Sequence, residues 1–276
     1  MMRTRLKHLL IKSGILSFLC LFLITPDLSA QSEFTFQRDE PPTMQMMLDA
    51  REVFRYEVTY GWFTLGWIEV KLLPDTTYEG QEVYHLQTMM ESNSKNILIG
   101  EKLVSYENLF QFNEKWPYSF IFWRNDFHDD EPNSVRIVFD RDSSKVRFYE
   151  HGEFMESLDL VEPASGGDTI FYYSRMFAGE ETPYELPVYI ENELGYVRSQ
   201  SSKETDMREY EAFDEPVETY LSNGHADIDG PFGFRGNFKS WFSTSDLRVP
   251  LEAHVKVIFG NVKVKLISYS REGGNN

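Results

Sequence analysis

Residues 249–268 read VPLEAHVKVIFGNVKVKLIS. Val249, Leu251, Ala253, Val255, Val257 and Phe259 occupy every second place, with Glu252, His254 and Lys256 between them. Val262, Val264, Leu266 and Ser268 repeat the pattern against Lys263 and Lys265. Only extended backbone sends alternate side chains to opposite faces. The stretch therefore predicts two strands, each with one face toward a core and one toward water. Gly260-Asn261 between them is a tight-turn dipeptide, so the pair reads as an antiparallel hairpin.

The same period of two runs outward through the chain. Phe54, Tyr56, Val58 and Tyr60 alternate with polar residues, and Ile68, Val70 and Leu72 follow, which predicts a hairpin turning near Gly61 to Thr64. Pro74-Asp75 and Glu79-Gly80 mark the next turn, and Tyr84, Leu86, Thr88 and Met90 alternate beyond it. Residues 103–112 read as a strand, and Tyr118 to Trp123 as one apolar on both faces. Val135, Ile137 and Phe139 pair with Val146 and Phe148 around a turn at 140–144. Strands also fit Leu186–Ile190, 195–201, 205–211, the segment beginning at Val217, and Phe238–Phe242.

Residues 168–178 break this rhythm. Asp168 suits a helix N-cap, while Ile170, Phe171, Tyr173, Ser174 and Phe177 keep helical spacing up to Gly179. One short helix plugging or covering one side of the sheet is expected. The fold class is mainly β: an antiparallel meander forming an open or half barrel or a sandwich, with one short helix near 168–178. No linker and no fixed-period repeat divides residues 51–270, which read as a single β domain.

The N-terminus reads as a targeting segment. Arg3, Arg5, Lys7 and Lys12 precede an apolar run from Gly14 to Ile24, Pro26 breaks it, and Leu28-Ser29-Ala30 ends in a small residue suited to signal peptidase. An apolar run of about 11 residues is short of the roughly 20 that a membrane-spanning helix needs. Cys20, the sole cysteine, follows Leu19, where lipidation requires a small residue. Residues 1–30 are thus expected to be removed, leaving an exported protein of the periplasm or cell envelope, or a secreted one, with no integral membrane span. Residues 31–50 read as a flexible arm and residues 271–276 as a disordered tail.

The whole chain carries 27 Lys+Arg against 44 Asp+Glu, a net charge of −17. Residues 1–30 hold four of the bases and one acid, so the remainder has 23 against 43 and a net of −20. Such a surface repels nucleic acid and anionic headgroups. Without cysteine the mature chain has no disulfides and no thiol chemistry.

Trp241-Phe242-Ser243-Thr244-Ser245-Asp246-Leu247-Arg248-Val249-Pro250, followed by a strand, Gly260 and a second strand, resembles the C-terminal signature of the domain of unknown function 3108 family (DUF3108). There a W-x-S-x-D-x-x-R-x-P stretch enters the last hairpin; here Asp246 lies one place later. Upstream and in order, Tyr56 with Gly61 and Gly66 resembles the family's first hairpin, and Trp116-Pro117 its proline before a strand. Asp168 through Arg175 resembles its D-x-L-S-x-x-Y-x-x-R helix, with Phe171 where the family has serine. Tyr210 to Pro216 lacks the family's turn glycine, which leaves pairing in 205–230 open. The resemblance covers roughly residues 50–270. It implies an exported β structure of meandering strands and brings no accepted activity or catalytic residues. Physically, Pro250 suits a strand start, and Ser243 and Asp246 can bond a turn backbone.

A search for chemistry finds little. No Gly-x-Ser-x-Gly elbow exists, and Ser92-Asn93-Ser94-Lys95 lacks the companions of a Ser-x-x-Lys site. His225-x-Asp227-x-Asp229-Gly230 could offer alternating ligands but has far too few oxygens for a calcium loop. The acidic stretch Asp126, Asp129, Asp130, Glu131 reads as a solvated loop. No cofactor, metal site or catalytic residue is assigned. The aromatics stand out: Trp62, Phe63, Phe120, Phe122 and Trp123 exceed what one core face needs. A concave aromatic face would suit a lipid chain or a polysaccharide. The expected function is a non-catalytic binding or carrier module for an apolar or polymeric ligand. The alternatives are an exported hydrolase using carboxylates and a small outer-membrane β-barrel.

Overall fold

The computed structural model describes residues 40–94, 101–113, 115–127, 133–230, 234–257 and 260–272. The chain opens with a helix, α1 (Met44–Asp49). It then meanders through β1 (Val53–Tyr60), β2 (Phe63–Tyr78), β3 (Gln81–Ser92), β4 (Leu103–Phe112), β5 (Pro117–Asp126), β6 (Asn133–Asp140), β7 (Lys145–Glu150) and β8 (Glu153–Asp159). A two-residue strand, β9 (Ser165–Gly166), leads into a 3-10 turn at Gly167–Thr169, α2 (Ile170–Tyr173) and a second 3-10 turn at Ser174–Phe177. A second meander follows: β10 (Tyr184–Ile190), β11 (Glu193–Arg208), β12 (Val217–Gly230), β13 (Phe234–Ser243), β14 (Pro250–Val257) and β15 (Gly260–Ser270).

These strands form one sheet, in the order β8-β7-β6-β5-β4-β3-β2-β1-β15-β14-β13-β12-β11-β10-β9. Neighbours are antiparallel apart from the parallel β9–β10 pair. The two meanders join at mid-sheet, where β1 pairs with β15 from Val53↔Ser270 to Tyr60↔Val262. The sheet also curls back on itself. Ser119 N–H on β5 donates to the Ala164 carbonyl (2.9 Å), and Gly166 N–H on β9 donates to Ser119 Oγ (2.9 Å). Strand β9 thus bridges β10 and β5, while β6, β7 and β8 continue past that closure. A small core of Phe122, Ile137, Phe139, Val146, Phe148 and Tyr189 fills the space where they overlap β10.

The expected alternation explains the faces. On β1, Phe54, Tyr56 and Val58 are buried and Arg55 is exposed. The outer face of the neighbouring strands carries Glu69, Lys71, Lys263 and Lys265, with Arg55 and Lys71 both ion-paired to Glu69. The helical stretch at 167–177 packs inside the curl with α1, and Tyr172 and Tyr173 are fully buried in the main core beside Phe54 and Leu251. Each such large apolar side chain contributes about 1.5–3 kcal/mol of burial.

Several expectations change. Residues 44–49 of the expected flexible arm are helical, with Met47 and Leu48 fully buried, because Met44, Met47 and Leu48 make one apolar face. Thr43 caps that helix through Oγ1 to Met46 N–H (3.3 Å). Pro74-Asp75 is not a turn. Strand β2 runs through it with a register shift between Leu73 and Thr76, and a bulge is where a strand tolerates proline. The segments 195–201 and 205–211 belong largely to one strand, β11, shifted in register between Ser201 and Thr205. Gly260 is not a turn residue: it opens β15 opposite Val257, at φ +134°. Strand β8 has no alternating apolar signal and is mostly exposed. Of the expected tail, Glu272 N–H donates to the Ala50 carbonyl (2.9 Å), and 273–276 lie outside the described residues. The expected signal segment 1–30, residues 31–39, Lys95 and most of the acidic loop lie outside them too.

Candidate ligand cavity

Above the helical plug, the inner face of the curled sheet lines a partly open cavity of about 360 Å3. Ile68 and Val70 of β2, Met90 of β3, Tyr106 of β4 and Phe122 of β5 form one wall. Ala226 and Ile228 of β12, Val255 of β14 and Val264 of β15 form the opposite one. Ile170 and Phe171 of α2 make the floor together with Asp168. The cavity reaches the ends of β10 and β12 at Ile190 and Gly230.

Asp168 is the one carboxyl at that floor. The chain reaches it through Gly166 and Gly167, and Gly166 is there for close approach. A Cβ on Gly166 would lie 2.6 Å from a Phe122 ring carbon and 2.9 Å from Asn108 Nδ2. Gly166→Ala is therefore expected to destabilise by about 1–3 kcal/mol through overpacking. Urea unfolding checks this, and an unchanged midpoint would contradict the contact. The expected N-cap role for Asp168 is not seen: Gly166 is the N-cap residue, and Asp168 lies within the first 3-10 turn. Its Oδ1 instead accepts a 2.6 Å hydrogen bond from Asn108 Nδ2. Its Oδ2 is shut off from solvent and has no protein partner, as is Asn108 Oδ1. Burial pushes the Asp168 carboxyl up to about 7, against the opposing pull of Asn108 and of the backbone N–H groups of Asp168 and Thr169.

Glu252 of β14, which lies opposite Lys265 on the outer face of the sheet, is in the opposite state. Burial would raise its pKa, but Arg208 (Nη2–Oε2 2.8 Å) and His254 (Nε2–Oε1 2.5 Å) overcome this and hold it below the usual carboxylate range. Tyr210 Oη also donates to it at 3.4 Å.

Beneath the plug lies a fully buried ion pair. Arg175 Nη1 sits 2.7 Å from Glu52 Oε2, an ion contact outside hydrogen-bond angles, and Nη2 donates to Glu52 Oε1 at 3.0 Å. Arg175 Nε donates to the Leu247 carbonyl (2.9 Å), and Tyr269 Oη donates to Glu52 Oε1 (2.6 Å). This network ties the plug to β15 and to the loop before β14.

The five aromatics expected to form one ligand face do not converge. Phe122 lines the cavity. Trp62 is 87% exposed and Phe63 55% exposed, their rings tilted against each other at 5.4 Å beside the β1–β2 turn, where Gly61 takes φ +60°. Phe120 sits with Tyr78 and Tyr118 in a separate surface groove. Trp123 packs against His85, 5.6 Å between rings, and His85 in turn meets Glu107. A register shift separates Phe120 from Phe122. Leu109 pairs with Ile121 and Phe110 with Ser119, so Phe120 is the unpaired extra residue of a bulge.

The residues of the expected C-terminal signature are structural supports. Trp241 is buried between His254 (4.6 Å between rings) and the Arg208 guanidinium (4.4 Å). Ser243 Oγ accepts from Val249 N–H (2.9 Å) and meets Ser245 Oγ (2.6 Å). Asp246 pairs with Arg271 (3.2 Å) rather than with the turn backbone. Arg248 is buried at φ +48°, over the Tyr220 ring and bonded to the Thr244 carbonyl. Pro250 opens β14, and its carbonyl accepts Tyr56 Oη (2.8 Å). At Gly66 a Cβ would lie 2.1 Å from the Glu91 carbonyl oxygen. His225 and Asp227 are engaged with Asn237 and with Tyr196 and Arg198.

Sequence reasoning missed Met90, Tyr106 and Ile228 as lining residues, and Asn108. The signal for Asn108 was present. It is a polar residue in the inward register of β4 between Tyr106 and Phe110, and a buried amide requires a partner.

No family model matches the chain, and no curated protein matches it. Among solved structures it is similar to a beta-barrel-like protein of domain of unknown function DUF1849 from Brucella abortus. The TM-score is 0.51 at 6% identity, over 82% of this chain and 99% of that one, a likeness of fold alone. LprF from Mycobacterium bovis aligns over 86% of this chain and 91% of its own at 7% identity, with a TM-score of 0.18.

Proposed function

We propose that this chain is an exported, non-catalytic carrier or binding module of the DUF3108 kind, acting in the periplasm or cell envelope. It would hold a small apolar ligand inside the curled sheet. The observation that carries this reading is the cavity itself: about 360 Å3, walled by aliphatic and aromatic side chains, with a single carboxyl on its floor. Small-molecule sites have this make-up and span roughly 300–1,000 Å3. The charged outer face of β1, β2 and β15 speaks against a lipid-embedded barrel, whose outward positions must form an apolar band. A polysaccharide would need the exposed aromatics on one surface, and they are dispersed.

The test is uptake of N-phenyl-1-naphthylamine, which fluoresces in apolar sites. Wild-type protein is expected to bind it. Ala226→Trp, which fills the cavity from a buried wall position, is expected to weaken binding at least about tenfold, or 1.4 kcal/mol. Equal binding by the two proteins would remove the cavity from consideration.

A further inference from the structure

We infer that the outer face of the second meander holds a separate binding groove for an acidic polysaccharide, a chain of carboxylated sugars lying across β10 to β15. The inference is independent of the cavity on the inner face.

The groove has a volume of about 940 Å3 and crosses these six neighbouring strands. At 4.7–4.9 Å between neighbours, it runs for roughly 24 Å. Two cross-strand rows build it. In one, Gln200 lies opposite Asn223, Asn223 opposite Lys239, Lys239 opposite His254, and His254 opposite Lys263. In the other, Arg198 lies opposite His225, His225 opposite Asn237, and Lys256 opposite Asn261. All of these residues are exposed apart from His254, which is half-buried.

The groove inverts the charge of the molecule. The chain carries 44 acids against 27 bases. The groove is lined by Arg198, Lys239 and Lys256 against one carboxyl, Glu185. That carboxyl is already bound to Arg198, which Asp227 also holds (2.9 Å). Lys239, Lys256 and the flanking Lys263 make no ion pair among the described residues. Lys256 is the diagonal neighbour of both other lysines, at roughly 7–8 Å, and like charges on facing strands repel. An anionic occupant turns that repulsion into attraction.

The remaining lining selects among anions. Gln200, Asn223, Asn237 and Asn261 supply carboxamides, which donate and accept as sugar hydroxyls do. A flat bilayer cannot enter a groove, which sets anionic headgroups aside. A single nucleic acid strand is held largely by stacking on aromatic rings, and the exposed aromatics are dispersed. A neutral glycan relies on ring stacking in the same way, whereas a carboxylated one is met by cations.

Fluorescence anisotropy with labelled hexamannuronate tests this in 0.1 M salt, where charges beyond about 10 Å are screened. The protein is expected to bind it at least about tenfold more tightly than labelled maltohexaose, which is uncharged. Lys239→Gln/Lys256→Gln should weaken binding at least about fivefold. Lys71→Gln/Lys115→Gln removes the same charge from the first meander and should change affinity less than about twofold. No binding of hexamannuronate, equal binding of maltohexaose, or equal losses in the two double variants overturns the groove. Tighter binding of an oligothymidylate of equal charge overturns the sugar assignment.

Discussion

Arg175→Met is expected to lower the unfolding free energy by about 3–5 kcal/mol. The guanidinium is fully buried, and burial alone would lower its pKa; Glu52 overcomes that and raises it. Removing the arginine leaves the Glu52 carboxylate in the core, with Tyr269 Oη as its remaining partner at 2.6 Å. The Leu247 carbonyl loses its donor too, so the loop before β14 loosens along with the plug. The double variant Glu52→Gln/Arg175→Met should recover part of the loss, because it no longer strands a charge. Urea denaturation of the three proteins measures this. A loss below about 1 kcal/mol, the range of an exposed pair, would mean that water reaches the site.

Asp168→Asn is expected to change how stability depends on pH. The carboxyl has a pKa of about 7 in the folded state and 3.8 ordinarily. Below about pH 4 both states hold the proton, and the group contributes nothing. Between about pH 4 and 7 the folded state keeps a proton that the unfolded chain has released, so wild-type stability falls as pH rises. Above 7 the penalty is complete and amounts to roughly 4 kcal/mol. Asparagine keeps the bond to Asn108 and carries no charge, so the variant escapes this decline. The gap between variant and wild type should widen from pH 4 to 7 and then level off. A gap that stays flat from pH 4 to 8 would show that the carboxylate is solvated.

The sheet was legible because most strands bury one face only. Val249–Phe259 and Phe54–Tyr60 announce themselves by period two, and the helical spacing at 168–178 marked the plug. Features that depend on partners were not legible. Nothing local distinguishes a proline at a turn from one in a bulge, as at Pro74, and the bulge at Phe120 turns one aromatic run toward two places. Strand β8 has no alternation to read, since it is an exposed edge paired only to β7. Asp168 of the cavity floor is joined to the buried Asn108 across 60 residues. The types were visible as a polar residue in an inward register and an acid beside an apolar helix face. Their meeting required the closure of β9 onto β5.

The pairing of β1 with β15 also fixes when the fold can be completed during synthesis. Glu52 and Tyr269 touch across 217 residues, so the middle of the sheet waits for β15 to emerge. Until then the first meander keeps a bare strand margin, able to dock the wrong partner. Such late, long-range pairing makes for slow maturation.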